Sequence, residues 1–186
     1  MAIAFKPGEE GILRPATVRD IPAIWRNIDA CWREGAGSWE REHMPLGPEE
    51  MARDAECFAS NLHRPPTHPG WQRYWLLSAG GKIVGHADLT GGRFTSEMHV
   101  ARAGIALREA YCGRGWGRGL MEEIIRWAWD QPTLEKIELT VFGQNARAIR
   151  LYESLGFTVE GVARARFRLH DRLIDDVQMA LFRSPG

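Results

Sequence analysis

Lysine is scarce in this sequence: only three of its 24 basic residues are lysines, and the others are arginines. The 24 acidic residues balance them, so the formal net charge is zero. Attraction to nucleic acid or to another polyanion needs an excess of positive charge. The composition therefore argues against a nucleic-acid partner.

Cysteines and long apolar runs are also few. Cys31, Cys57 and Cys112 form no Cys-x-x-Cys pair, so neither a disulfide framework nor a zinc site is indicated, and no metal is expected. Cys31 and Cys57 occur in apolar helical patterns and are predicted to be buried thiols. No stretch approaches the ~20 apolar residues of a membrane span, and the start lacks the pattern of a secretion signal. We therefore expect a soluble, cytoplasmic protein without a membrane partner.

The rest of the composition fits one folded domain. With 186 residues and 44% hydrophobic residues, the chain can bury a full core. Residues 1–10 are predicted to be a flexible tail, and residues 11–186 a single domain. Helical and alternating apolar periodicities predict the order β-α-α-β-β-β-α-β-α-β-β. This order predicts an α/β fold, with a mixed sheet and helices on both faces.

A glycine-rich stretch at residues 113–119 is the clearest functional signal. Its sequence, Gly-Arg-Gly-Trp-Gly-Arg-Gly, lies between an apolar strand pattern and a helical pattern. The first N–H groups of a helix lack internal partners, and the macrodipole makes that end positive. Glycines before it allow a phosphate to approach those amides, and Arg114 and Arg118 add positive charge.

Two familiar phosphate-binding patterns do not fit this stretch. A P-loop needs Gly-x4-Gly-Lys-Ser/Thr, and no lysine is nearby. A dinucleotide-binding turn needs Gly-x-Gly-x-x-Gly, which fails because the sixth residue is Arg118 counted from Gly113 and Leu120 counted from Gly115. A plain glycine-rich turn remains as the alternative without function.

The wider pattern resembles the GNAT superfamily of acyl-CoA-dependent N-acetyltransferases. Residues 112–117 (Cys-Gly-Arg-Gly-Trp-Gly) match its Arg/Gln-x-x-Gly-x-Gly/Ala motif, with Cys112 in place of the Arg or Gln. Residues 145–157 match its Asn-x-x-Ala-x-x-Leu-Tyr-x-x-x-Gly-Phe motif. The end of the chain, residues 161–181, is similar to the closing hairpin of amino-acid and ribosomal-protein members. The resemblance covers roughly residues 11 to 182.

This resemblance implies a function and a set of site residues. It implies acetyl-CoA as co-substrate, with its pantetheine between two diverging strands and Tyr152 as the acid that protonates the CoA thiolate. Asn145 is either a helix cap only or a cofactor contact as well. The residues that the resemblance assigns to cofactor binding are Ile105, Ala106, Leu107, Cys112, Gly113, Arg114, Gly115, Trp116, Gly117, Arg118, Asn145 and Tyr152.

The general base is not determined by the resemblance. Relatives with Glu-x-Gly-Ile on the strand before the glycines carry a carboxylate where this chain has Arg102. The strand candidates are His86, Asp88, Glu97 and His99, and of these we predict His99 and Glu97, with a base acting through water as the alternative.

The acceptor is predicted to be a small molecule with a primary amine, either an amino acid or an analogue. Trp39, Arg41 and His43 are predicted to contact it, from a loop whose alternative role is a solvent-exposed connector. Three other functions stay open: acetylation of protein N-termini, a CoA-binding regulatory module without turnover, and a dinucleotide-dependent enzyme. Eight tryptophans and seven phenylalanines in a small chain also suggest a homodimer.

Overall fold

A computed structural model describes residues 2–6, 9–34, 48–169 and 171–184. The described strands are β1 (Ala2–Lys6), β2 (Glu9–Pro15), β3 (Gln72–Ala79), β4 (Lys82–Gly91), β5 (Val100–Leu107), β6 (Lys136–Phe142), β7 (Thr158–Leu169) and β8 (Arg172–Phe182). The described helices are α1 (Ile21–Arg33), α2 (Pro48–His63), α3 (Trp116–Trp129) and α4 (Ala146–Ser154).

The described strands form one mixed sheet in the order β1-β2-β3-β4-β5-β6-β8-β7. Neighbours are antiparallel except β5 and β6, which are parallel. The α/β class and the predicted order from β2 onward are confirmed. The prediction of a flexible tail at residues 1–10 is wrong, because Ala2–Lys6 pairs with β2 as an edge strand. The short apolar run at residues 2–5 was the signal for that strand.

Two apolar clusters lie on opposite faces of the sheet. Alternation along β3 sends Trp75 and Leu77 to the cluster that α3 and α4 cover, and Leu76 to the cluster that α1 and α2 cover. Cys31 of α1 is buried as predicted, whereas Cys57 is exposed on α2 and that prediction is wrong. None of the described helices has the length and apolar character needed to span a lipid bilayer.

Turns and caps follow the sequence signals closely. Gly80 and Gly81 join β3 to β4 with φ of +55° and +74°, the positive values that a tight hairpin turn requires. Asp20 accepts the backbone N–H of Thr17 at 2.8 Å just before α1. A short 3₁₀ turn at Thr95–Glu97 separates β4 from β5.

Candidate active site

The parallel strands at the centre of the sheet separate part-way along their length. Their pairing consists of Val100 with Lys136, Ala101 with Ile137, and Arg102 with Glu138. β5 then runs on to residue 107 and β6 to residue 142 without further pairing between them. This leaves a V-shaped gap, and none of the described strands pairs with the edge of β5 that faces it. The diverging strands implied by the resemblance are therefore present.

A cavity of about 530 Å³ fills this gap. Its lining residues are Asp88, Thr90, Arg102, Ala103, Gly104, Ile105, Ala106, Leu107, Cys112, Gly113, Gly115, Gly117, Arg118, Thr140, Val141, Phe142, Asn145, Arg147, Ala148, Leu151 and Tyr152. Ala103 and Tyr152 belong to the cluster on the α3 face. Asp88 alternates with Ala87 and Leu89 of that same cluster, so its side chain lies on the opposite face. The cavity therefore passes through the sheet.

The glycine-rich loop forms one end of the cavity. Gly113 and Gly115 have φ of +72° and +91°, which L-residues disfavour. A Cβ on either would meet no atom within 4 Å, so conformation rather than packing calls for glycine at both positions. The first intrahelical bond of α3 runs from the Gly119 N–H to the Gly115 carbonyl at 3.1 Å. The amides of Gly117 and Arg118 thus lie in the first turn, where an anion is stabilised.

Most of the residues predicted to bind the cofactor line this cavity, and two do not. Trp116 is buried and its ring packs edge-on against Tyr111, with centroids 5.4 Å apart. Arg114 also lies outside the lining. Arg118 lines the cavity while its guanidinium donates to Ser154 Oγ at 2.6 Å. Cys112 also lines it, and burial raises the pKa of its thiol, so it stays uncharged near neutral pH.

Helix α4 supplies the next part of the wall. Asn145 Oδ1 accepts the N–H of Ala148 at 3.1 Å, which makes Asn145 the N-cap of α4, and its side chain also lines the cavity. Tyr152 follows two turns later and is 6% exposed. Burial raises the pKa of Tyr152 to about 12, so the hydroxyl keeps its proton at neutral pH.

The far end of the cavity is lined by an aspartate and an arginine on neighbouring strands. Asp88 of β4 lies opposite Gly104 of β5, and Thr90 lies opposite Arg102. A Cβ on Gly104 would lie 2.5 Å from Asp88 Oδ1, so the carboxylate occupies the space above that glycine. Burial raises the pKa of Asp88 to about 7. A carboxylate with such a pKa can accept a proton at neutral pH.

The two predicted bases lie elsewhere. Glu97 belongs to the 3₁₀ turn rather than to a strand, and its carboxylate accepts the backbone N–H groups of Arg93 and Phe94 at 2.9 and 3.3 Å. His99 is exposed beside the paired end of β5. It is six residues from Ile105, roughly 20 Å along an extended strand. Neither side chain lines the cavity, so we carry neither forward as the base.

The other sequence candidates are also placed by the fold. His86 is buried, its Nδ1 lies 2.9 Å from Asn27 Nδ2, and burial lowers its pKa to about 4. It is therefore a neutral structural histidine. The predicted acceptor contacts Trp39, Arg41 and His43 lie outside the described residues.

Several lining residues were not singled out from the sequence. They are Thr90, Arg147, Thr140 and Phe142, together with Arg102 in a binding role. Arg147 lies 3.5 Å from Glu109, which links α4 to the segment just before the glycines. The sequence signal for Arg147 was its position two residues after Asn145, which places it in the first turn of α4. That turn directly follows the part of β6 that does not pair with β5.

Comparison with known proteins agrees with this geometry. The family model described as the acetyltransferase (GNAT) family matches residues 25–157. The chain belongs to the GNAT family of acetyltransferases. It is 33% identical over 135 residues to the L-amino acid N-acetyltransferase AaaT of Escherichia coli, covering 67% of this chain and 83% of that protein. It is 32% identical over 117 residues to the N-alpha-acetyltransferase RimI of Mycobacterium tuberculosis, covering 61% of this chain and 66% of RimI.

Solved GNAT structures share the fold. A GNAT superfamily phosphinothricin acetyltransferase from Sinorhizobium meliloti, in complex with acetyl-CoA, superimposes with a TM-score of 0.75 at 21% identity, covering 92% of this chain and 88% of that one. The family match over residues 25–157 and the 33% identity to an N-acetyltransferase show that the chain is an N-acetyltransferase. Among its described residues, no group of three or more His, Cys, Asp or Glu side chains is arranged to hold a metal ion.

Proposed function

We propose that this GNAT enzyme transfers the acetyl group of acetyl-CoA to the primary amine of an amino acid or a close analogue. One observation carries the proposal. A single cavity connects the start of helix α3 on one face of the sheet with the half-buried carboxylate of Asp88 on the other. Such a passage lets a phosphate-bearing acyl donor and a small amine enter from opposite sides and meet in the gap between β5 and β6.

The glycine loop suits the pyrophosphate of CoA. The amides of Gly113, Gly115, Gly117 and Arg118 border the cavity near the positive end of α3. These backbone donors hold a phosphate whatever side chain stands at residue 112, so Cys112 does not oppose the assignment. The open space beside Gly113 and Gly115 leaves room for the ligand.

The open edge of β5 suits the pantetheine and the thioester. Residues 105–107 border the cavity beyond the last pair with β6, so their backbone can bond an amide-bearing arm as another strand would. In this proposal Tyr152 gives a proton to the departing sulfur. Its raised pKa keeps it protonated for that step.

The acceptor assignment rests on charge and on the ionisation of amines. A net charge of zero provides no attraction for tRNA and no strongly acidic groove for a polyamine. A lysine-like amine of pKa ~10.4 needs roughly 4 kcal/mol to lose its proton near pH 7.4, and a chain-terminal α-amine near pKa 8 needs only about 1 kcal/mol. The α-amine of a free amino acid lies between these two. The likeness to an L-amino acid N-acetyltransferase supports the same choice. The N-terminus of a protein is the second candidate, because it presents the same α-amine and RimI is also similar.

An amine panel tests this function. The full chain with acetyl-CoA is assayed for free thiol against amino acids, their amides, spermidine, an aminoglycoside and short peptides. We expect the highest kcat/KM for free amino acids. Higher values for peptides would move the assignment to protein N-termini. Binding of acetyl-CoA without turnover of any amine would favour a CoA-binding regulatory module.

Location and assembly extend this proposal. We expect the enzyme to work in the cytoplasm and to form a homodimer. The exposed apolar side chains of Val159, Val162 and Phe182 on β7 and β8 support self-association. Light scattering that finds a monomer at micromolar concentration would remove the dimer.

A further inference from the structure

Asp88 and Arg102 share one face of the sheet at the acceptor end of the cavity. Asp88 pairs with Gly104 and Arg102 with Thr90, so Asp88 and Arg102 are diagonal neighbours on adjacent antiparallel strands. Such positions are roughly 7–8 Å apart. Both side chains line the cavity. A small molecule that carries a cation and an anion a few ångströms apart can therefore contact both.

The Asp88 carboxylate is available to a ligand. In the part of the chain that the structure describes, it forms no hydrogen bond or ion pair with another side chain. It lies above Gly104, which has no side chain to shield it. The groups that face it are Tyr74 of β3, whose pKa is raised by burial and then by the Asp88 charge, neutral His86 of β4, and Arg102 of β5.

Arg102 is held on one side and open on the other. Its Nη2 donates to Glu138 Oε1 at 3.1 Å, and 69% of its side chain is exposed. Glu138 also lies 3.8 Å from Lys136 Nζ, so it keeps a positive neighbour when Arg102 also contacts a ligand. A guanidinium offers five N–H donors, and its planar fork matches a carboxylate.

Among the described residues, a second acid with a raised pKa lies near this end, and it is buried. Asp176 of β8 has a pKa raised by burial, against the opposing charges of Arg166 and Arg102. Its side chain is not part of the cavity lining. Asp176 thus interacts electrostatically with Arg102 without bordering the cavity, whereas Asp88 borders it.

We propose that Asp88 and Arg102 form a two-point site for a free α-amino acid, in which Asp88 takes a proton from the α-ammonium and Arg102 binds the carboxylate. This assignment rests on the proposed acetyl transfer and names the acceptor class and the base. The ammonium gives one proton to Asp88, and the neutral nitrogen forms a bond to the thioester carbon. The C–S bond breaks, the sulfur takes the Tyr152 proton, and the second nitrogen proton replaces it on Tyr152. Asp88 then releases its proton to solvent.

Arg102→Gln tests the carboxylate contact. Each variant is assayed with an amino acid and with its amide, which keeps the amine and lacks the carboxylate. We expect kcat/KM for the free acid to fall about 10- to 100-fold, as loss of a charge-assisted contact implies, and the value for the amide to change little. Arg126→Gln is the matched control, because Arg126 is also an exposed, ion-paired arginine but lies outside the cavity lining. Equal losses for acid and amide would overturn the contact while leaving acetyl transfer intact.

Asp88→Asn tests the base. We expect kcat to fall about 10²–10⁴-fold for acid and amide alike, with the Kd of acetyl-CoA unchanged. The loss should shrink for a hydrazide acceptor, whose nitrogen is already neutral at the assay pH. In the wild type, kcat/KM for an amino acid should show an inflection near pH 7 that Asp176→Asn retains. An unchanged kcat in Asp88→Asn, or a wild-type profile without that inflection, would overturn Asp88 as the base. Absence of acetyl transfer from the wild type itself would overturn the proposed function instead.

Discussion

Two glycines with nearly the same backbone conformation allow a controlled test of CoA binding by the glycine-rich loop. Gly113 in the loop has a φ of +72°, and Gly81 in the β3–β4 hairpin has a φ of +74°. A Cβ at either position would meet no atom within 4 Å. Gly113→Ala and Gly81→Ala therefore introduce the same backbone strain without a steric clash, and only Gly113 borders the cavity.

The expected magnitudes follow from that geometry. An alanine held at such a φ costs roughly 1 kcal/mol, after allowance for the reduced freedom of the unfolded chain. In a chain of this size, that corresponds to a fall of about 2–4 °C in Tm for both variants. In Gly113→Ala, relaxation of the strain also moves an amide away from the phosphate. Loss of one charge-assisted hydrogen bond costs about 1.5–3 kcal/mol, so the Kd of acetyl-CoA should rise about 10- to 150-fold.

Calorimetry measures both quantities on the same samples. Scanning calorimetry gives the Tm without ligand, and isothermal titration gives the Kd of acetyl-CoA. We expect similar Tm values for the two variants and weaker binding by Gly113→Ala alone. If Gly113→Ala loses stability but binds acetyl-CoA as the wild type does, the loop amides do not hold the pyrophosphate. If both variants bind weakly, the effect reflects general destabilisation.

Three further predictions concern single side chains of the cavity. Tyr152→Phe should lower kcat by about 10²–10⁴-fold and leave the Kd of acetyl-CoA within a factor of two or so, because only the proton donor is lost; a parallel loss of affinity in titration calorimetry would indicate a packing role. Asn145→Ala should lower the free energy of unfolding by about 1 kcal/mol, and Asn145→Ser by less since serine can also cap α4; denaturant titration measures this, and equal losses would contradict the cap. Asp88→Asn should raise the Tm by an amount that grows between pH 3.8 and about 7. The wild-type carboxyl binds its proton more tightly in the folded than in the unfolded chain, so the wild type loses stability as pH rises through this range and the variant does not. A gain in Tm that is constant with pH would contradict the raised pKa.

The sheet and the backbone of the glycine-rich loop could be predicted because their signals are local. Alternation at Ile137, Leu139 and Val141 marks β6, and helical spacing from Leu120 marks α3. The Gly113–Gly115 pattern fixed the loop conformation, since both positions need a positive φ. The β1 strand was missed because its signal, the apolar run at residues 2–5, is too short to show a period.

The proposed base, Asp88, could not be chosen from the sequence because its environment is set by pairing with distant parts of the chain. Asp88 was one of four polar strand candidates, and nothing in its own neighbourhood distinguishes it from His86. The distinction comes from Gly104 on the next strand, which leaves room above itself, and from the divergence of β6. Glu97 was predicted as a base because it was assigned to the strand, whereas the strand begins at Val100.

Glu97 nevertheless influences where Asp88 and Arg102 lie. Its carboxylate accepts two backbone amides in the turn between β4 and β5, at Arg93 and Phe94. That turn ends where Ala101 pairs with Gly91, so its length sets the register of the two strands. A slip of one residue would turn every side chain of β5 to the other face of the sheet. Arg102 would then leave the face that carries Asp88, and Gly104 would no longer lie beneath the carboxylate. The turn thus positions both charges from the paired end of β5, although none of its own side chains reaches the cavity.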